Sequence, residues 1–276
     1  MQSKTLMVVG MHRSGTSLIT NWLHRCGLQV GEHLVEADHG NVEGHFEDVE
    51  FLKMHEEILT SNHFPATGYV YDKEIDVSVY QLEKLKSVIR VKNKRYKQWG
   101  WKEPRTCLFL DMYKELLPDS KYLVIVRDYQ SVVNSLLKRE FGFLERKYLS
   151  RMLFSRLVWT YFRQENVKQK FYHANAESFL KVWIAYNEHI LNLLKVLPQE
   201  DYIVINYTLL AECDQQVFSF LTDTWRFALK YCSFKEVYKK NLISSSVDIG
   251  PLINNDELLL KAKSTADEFN KYISVF

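Results

Sequence analysis

One segment near the start of the chain limits the possible fold more than any other. Residues 5–10 (TLMVVG) form a short apolar run, and residues 18–26 carry apolar side chains at helical spacing until Gly27 ends the pattern. Between them lies a turn rich in glycine, serine and threonine. A buried strand that passes through such a turn into a helix predicts a parallel α/β fold. The turn would gather backbone amides at the positive end of the helix dipole, which favours an anion.

The rest of the chain repeats this alternation of strands and helices. Further strands are predicted at Trp99–Lys102, Lys121–Val126 (KYLVIV) and Tyr202–Ile205 (YIVI). Helices are predicted over 51–59, 81–91, 106–117, 130–139 and 176–197, whereas the packing of the basic and aromatic stretch 142–172 has no clear pattern. We therefore expect one α/β domain over residues 1–276, a P-loop-like parallel sheet with helices on both faces.

Composition excludes several classes of protein. A formal charge of +2 is too small for a general nucleic-acid binder, so any recognition of anions must be local. The four cysteines are far apart and form no CxxC pair, which argues against a zinc site or a disulfide framework and fits a reducing compartment. The first apolar run is too short for a signal peptide, and no stretch approaches the roughly 18 apolar residues of a membrane span. We expect a soluble, cytoplasmic protein without membrane insertion.

The loop Gly10–Ser17 (GMHRSGTS) has the glycine spacing of a phosphate-binding loop. A Walker A loop reads GxxxxGK[ST], and its lysine reaches the β- and γ-phosphates of a nucleoside triphosphate. Thr16 stands at the position of that lysine. The loop is therefore predicted to cradle a phosphate without handling a triphosphate, the alternative being a plain turn between strand and helix.

Several motifs resemble the PAPS-dependent sulfotransferases, which transfer a sulfuryl group from 3′-phosphoadenosine-5′-phosphosulfate. HRSGTS is similar to their 5′-phosphosulfate-binding loop, [PR]-[KR]-[ST]-G-[TS]-[TS], and Arg127 with Ser135 eight residues later resembles their 3′-phosphate pair. The segments GNVEGHFEDVEF, WKEPR and VINYTLL resemble further blocks of bacterial members that modify carbohydrates or natural products, including the saxitoxin-type toxin-tailoring enzymes. Thr208 departs from the glutamate usual in the last block, and no RKG-type C-terminal block is found.

The resemblance implies a donor, a product and a set of contacts. The donor would be PAPS, the product would be 3′,5′-diphosphoadenosine (PAP), and no metal would be needed. The implied donor-binding residues are His12, Arg13, Ser14, Gly15, Thr16, Ser17, Arg127, Ser135 and Tyr207. Arg13 would also stabilise charge on the leaving group during in-line transfer.

The acceptor must lose a proton, and the loop after the first helix offers groups that can take it. Glu47 matches the family's loop carboxylate and is our first candidate for the base, with His45 second. The alternative for Glu47 is a structural carboxylate. Glu43, Asp48, Lys102 and Arg105 are candidate acceptor contacts, although an ion pair of Lys102 with Glu103, or of Arg105 with the sheet end, is equally compatible.

Charge in this loop suggests the kind of acceptor. Residues 36–50 contain six carboxylates, and residues 30–52 contain no lysine or arginine. This negative charge favours a small neutral or cationic acceptor, such as a natural product, over a polyanion. The histidines at 33, 39 and 45 recur every six residues, which suits no common metal site. Three alternatives stay open: sulfation of a bacterial carbohydrate, a P-loop kinase-like enzyme with Asp128 as the only candidate for Mg²⁺, and a nucleotide-binding module without turnover.

Overall fold

A parallel sheet forms the centre of the protein. The computed structural model describes residues 3–36, 44–71, 74–150, 157–238 and 247–274, apart from the Tyr207 side chain. Within them, the sheet has four strands, β1 (Lys4–Val9), β2 (Gln98–Lys102), β3 (Lys121–Val126) and β4 (Tyr202–Asn206). Their order is β2-β1-β3-β4, and every pairing is parallel.

The strand register brings three loops together at one edge of the sheet. Val8 of β1 lies opposite Lys102 at the end of β2, and Val9 lies opposite Val124 of β3. The chain therefore leaves β1, β2 and β3 at neighbouring points. Ligands of open α/β sheets bind at this carboxyl edge, where the direction of the connections changes.

Helices cover both faces of the sheet. They are α1 (Thr16–Arg25), α2 (Val49–Ser61), α3 (Val79–Arg95), α4 (Leu110–Leu116), α5 (Tyr129–Leu149), α6 (Gln164–Val196), α7 (Tyr207–Ser219) and α8 (Asp256–Phe269). The helix predicted over 106–117 is a 3₁₀ helix over Pro104–Phe109 followed by α4. No helix in the described part of the chain is long and apolar enough to cross a bilayer.

Two separate hydrophobic cores lie on the two faces. Leu6 and Val8 of β1 point into a core shared with α1 and α7, whereas Met7 and Val9 point into a larger core with α2 and α6. Successive side chains of a strand face opposite sides, so apolar residues at all four positions require cover on both. The predicted α/β class, with a sheet buried between helices, is confirmed.

The second half of α5 and the start of α6 extend beyond the predicted helices. The predicted helix ended near residue 139, but α5 continues to Leu149. A π-helical turn over Trp159–Arg163 precedes α6, which starts at Gln164 instead of 176. The Tyr148 and Trp159 rings stack with centroids 4.0 Å apart, an interhelical contact that no local spacing reveals.

Candidate active site

The loop between β1 and α1 is built around two glycines. A side chain on Gly10 would put its Cβ 2.7 Å from the Ile125 carbonyl oxygen and 2.7 Å from Thr16 Cγ2, so only glycine fits. Gly15 precedes α1 with φ 92°, a left-handed conformation that glycine adopts without strain. The first turn of α1 contains no acidic side chain. Its amide groups and the helix dipole are therefore available to an anion.

The two predicted phosphate-binding motifs are in direct contact. Arg13 Nε donates a hydrogen bond to Ser135 Oγ at 3.0 Å, and Arg127 Nη1 donates one to the Arg13 carbonyl oxygen at 2.8 Å. The Trp183 indole of α6 in turn donates to the Arg127 carbonyl oxygen at 3.2 Å. One polar cluster of two arginines and a serine is thus built from the loop after β1, the end of β3 and helix α5.

Lys102 links Ser17, the last residue of the predicted phosphate-binding loop, to Glu47, the candidate base. Its ammonium lies 2.7 Å from Glu47 Oε1 and 3.2 Å from Ser17 Oγ, and the residue is 1% exposed. Burial lowers the pKa of Lys102, while the Glu47 carboxylate opposes that shift. His45 Nδ1 lies 3.9 Å from the same Glu47 oxygen. Lys102 therefore connects Glu47 to Ser17 at the start of α1, and His45 lies beside the same carboxylate.

Asp48, a predicted acceptor contact, is fully engaged elsewhere. It is 1% exposed, caps α2 by accepting a hydrogen bond from the Glu50 amide at 2.9 Å, and pairs with Lys92 at 2.7 Å. Burial raises the pKa of Asp48, against the opposing effect of Lys92. Glu50 also pairs with Lys92, at 2.6 Å. This geometry supports a structural role for Asp48 and gives no support to an acceptor contact.

Arg105 belongs to a buried polar network below the site. Its guanidinium lies 2.5 Å from Glu103 and donates to the Ala66 carbonyl oxygen at 2.7 Å. The second oxygen of Glu103 lies 2.5 Å from His55 Nδ1, and His55 Nε2 lies 2.7 Å from the Tyr113 hydroxyl. Although burial opposes it, Arg105 with His55 holds the pKa of Glu103 below its ordinary value. Glu103 thus pairs with Arg105, whereas the sequence suggested Lys102 as its partner; Lys102 pairs with Glu47 instead.

Among the residues of the predicted phosphate-binding loop, Gly10–Ser17, His12 has the most unusual surroundings. It is 8% exposed, and its ring lies between those of Tyr69 and Tyr186, with centroid distances of 5.7 and 5.8 Å. Its Nε2 has no hydrogen-bond partner within the described ranges. Burial, with the charges of Arg105, Arg139, Lys102 and Arg13, lowers the pKa of His12 well below its ordinary value.

Three residues at this site are absent from the sequence predictions. Tyr69 and Tyr186 reach it from a loop and from the middle of α6, and nothing in their local spacing marks them. Arg139 could have been found, because it follows Ser135 by four residues on α5 and so lies on the same helix face. Arg139 contacts the Tyr69 hydroxyl, which donates to Glu140 Oε1 at 3.0 Å.

Two of the predicted site residues lie wholly or partly outside the described residues. Glu43 lies outside the described residues, as does the side chain of Tyr207, whose backbone begins α7 directly after β4. In the ranges that are described, no group of three or more histidine, cysteine or acidic side chains is arranged to hold a metal.

Comparisons with known proteins identify the family of this chain. Sulfotransferase STF9 from Mycobacterium avium has a similar fold, with a TM-score of 0.51 and 13% identity over 99% of this chain and 78% of that one. The sulfotransferase domain of the Synechococcus PCC 7002 olefin synthase gives a TM-score of 0.47 and 16% identity over 97% of this chain and 95% of that domain. No curated protein sequence matches significantly. Residues 5–218 match the model of the Sulfotransferase family, and the chain therefore belongs to that family.

Proposed function

We propose that this protein transfers the sulfuryl group of PAPS to a hydroxyl or nitrogen of a small neutral or cationic acceptor and releases PAP. The contact between Arg13 and Ser135, with Arg127 on the Arg13 carbonyl, is the observation that carries the proposal. It joins the loop suited to a 5′-phosphosulfate to the pair suited to a 3′-phosphate. PAPS is a nucleotide that carries both groups.

The donor would be held at two points. Backbone amides of Gly15–Ser17, with the Thr16 and Ser17 hydroxyls, would bind the 5′-phosphate at the start of α1. The Ser14 amide, expected to join them, donates to the Met11 carbonyl oxygen at 3.2 Å. Arg127 and Ser135 would bind the 3′-phosphate through charge-assisted hydrogen bonds. No lysine stands at position 16 to reach a triphosphate, which favours PAPS over ATP.

Catalysis would be mainly positioning and electrostatic stabilisation. The acceptor oxygen or nitrogen attacks sulfur in line with the bridging oxygen, the new bond to sulfur forms, and the bond to the phosphate oxygen breaks. The electron pair of that bond leaves with PAP, where Arg13 would stabilise the developing charge. The acceptor proton would pass to Glu47, which the Lys102 ammonium orients at 2.7 Å.

The acceptor class rests on the charge of the loop around Glu47. Lys92 pairs with Asp48 and Glu50, and Lys102 pairs with Glu47. The acceptor class is therefore inferred from the composition of residues 36–50, which contain six carboxylates and no lysine or arginine and so carry a negative formal charge. A neutral or cationic natural product fits this sign better than a polyanionic glycan. We propose a role in natural-product tailoring on that basis.

Ligand binding tests the donor first. In a thermal-shift experiment, PAP should raise the melting temperature, whereas ATP with Mg²⁺ and AMP should have much smaller effects. Transfer of ³⁵S from labelled PAPS should then be measured on matched panels of neutral, cationic and polyanionic acceptors. Stabilisation by ATP with Mg²⁺ but not by PAP would overturn the donor, and preference for a polyanionic glycan would overturn the acceptor class.

A further inference from the structure

His12 stands where the common form of the sulfotransferase loop has proline or arginine. Its imidazole is more than nine-tenths buried, and its Nε2 lacks a hydrogen-bond partner in the described part of the chain. Buried polar atoms are rarely left unpaired, because the cost of removing them from water is then not offset. An unpaired nitrogen beside an anion-binding loop therefore points to a ligand atom as its partner.

The charges around His12 indicate the sign of that ligand. Four cations act on the ring, from the donor loop (Arg13), the end of β2 (Lys102), the following 3₁₀ helix (Arg105) and α5 (Arg139). Each has at least one partner in the protein: Ser135, Glu47, Glu103 and Glu140 respectively. Burial first, and these cations second, oppose protonation of the ring and favour a neutral imidazole with one N–H group. An N–H group beside these cations suits an anionic oxygen.

The two aromatic rings that contact His12 differ in their exposure to solvent. Of the two rings that contact His12, Tyr186 is fully buried and donates to the Gly68 carbonyl oxygen at 2.7 Å, whereas Tyr69 is only half-buried. Because Nε2 itself is closed to solvent in this structure, a ligand would have to open the site, and the less buried Tyr69 side offers the easier path. The hydroxyl of Tyr69 contacts Glu140 and Arg139 there.

We propose that His12 donates a hydrogen bond from Nε2 to a terminal oxygen of the donor's sulfonate, as a neutral imidazole. This inference rests on the proposed function, since it assigns the sulfonate subsite of the same donor. The sulfonate is the one group that PAPS has and PAP lacks. His12 is therefore a residue that distinguishes the charged donor from the spent product.

Binding of PAPS and PAP to two variants of His12 tests the proposal. His12→Leu removes the N–H group, whereas His12→Gln keeps an N–H donor at a similar reach. Loss of one hydrogen bond to a charged group should weaken PAPS binding by about 10- to 100-fold in His12→Leu. PAP binding should stay at the parent value, and His12→Gln should recover part of the loss. His24→Gln on the exposed side of α1 is the matched control and should change neither affinity.

Other outcomes overturn the assignment. Equal weakening of PAPS and PAP would mean that His12 only supports the loop, and an unchanged PAPS affinity with reduced turnover would make it a proton acceptor instead. If the variants do not fold, ¹⁵N spectra of histidine-labelled parent protein decide the matter. The Nε2 signal of His12 should be protonated and should shift with PAPS but not with PAP, and the absence of that difference would refute the proposal. A parent protein that binds no PAP would refute the proposed function itself, which is a separate result.

Discussion

Arg13 and Ser135, 122 residues apart in the chain, are joined by a hydrogen bond of 3.0 Å between the guanidinium Nε and the hydroxyl Oγ. The first residue lies in the loop after β1 and the second on α5, so the contact crosses the boundary between adjacent strands β1 and β3. A ligand that binds Ser135 would act directly on the environment of Arg13.

Arg13→Ala should lower kcat far more than donor affinity, because the contact with the leaving oxygen strengthens in the transition state. Loss of one such contact costs about two orders of magnitude or more in rate. Steady-state kinetics with PAPS measures the effect, and exposed Arg90→Ala on α3 is the control. Near-normal turnover of Arg13→Ala would remove Arg13 from the mechanism.

Arg127→Ala should abolish most of the preference for PAP over AMP, because the 3′-phosphate loses its bidentate cation. Ser135→Ala should reduce the same preference by a smaller amount, since it removes a single neutral hydroxyl. Calorimetric titration of both nucleotides gives the two affinities. If the parent protein binds PAP and AMP equally, the 3′-phosphate site lies elsewhere.

Glu47→Gln should leave PAP binding intact and reduce turnover by roughly 10²–10⁴, the usual contribution of a general base. Glu50→Gln is the matched control, because Glu50 pairs with Lys92 at the start of α2 and its side chain is 47% exposed. The measurement is kcat on the best acceptor of the panel. Retention of turnover in Glu47→Gln would transfer the role of base to another group, with His45 the next to test.

Arg105→Met should destabilise the fold by about 3–5 kcal/mol, because Glu103 would keep a buried charge without its closest cation. Urea unfolding measures the change, and Lys84→Met, which breaks the exposed pair with Glu57, should have little effect. The folded-state pKa of Glu103 is lowered, so its stabilising contribution is present at neutral pH and is lost as the pH falls through that pKa. The difference between parent and variant should therefore shrink in acid. An Arg105→Met protein as stable as the parent would show that the network is dispensable.

Local patterns were sufficient to predict the sheet and the loop between β1 and α1. β3 has the predicted bounds, because KYLVIV is a continuous apolar run that needs cover on both faces. The loop was visible because its glycines and hydroxyl side chains are close together in sequence. Arg127 and Ser135 were singled out only through family resemblance, since their contacts with Arg13 depend on the order of strands.

The surroundings of Glu47 and Asp48 were harder to predict, because they are built from contacts between distant segments. Lys102 and Glu47 are 55 residues apart, and their ion pair has no local signature. Asp48 looked like a candidate ligand in an acidic loop, but it caps α2 through the Glu50 amide and pairs with Lys92, 44 residues later. Buried ion pairs of this kind follow from the packing of elements and not from the composition of one loop.

The strand order has a consequence for engineering. Arg13, Arg127 and Ser135 follow the central strands β1 and β3, whereas Glu47, Lys102 and Tyr69 come from segments on the outer β2 side. The two groups meet at the hydrogen bond from Lys102 to Ser17 and where Tyr69 contacts His12 and Arg139. Segment 44–71 also carries the core residues Phe51 and Ile58 and the bond from His55 to Glu103. A graft of this segment from another protein would therefore have to keep those positions to preserve the fold.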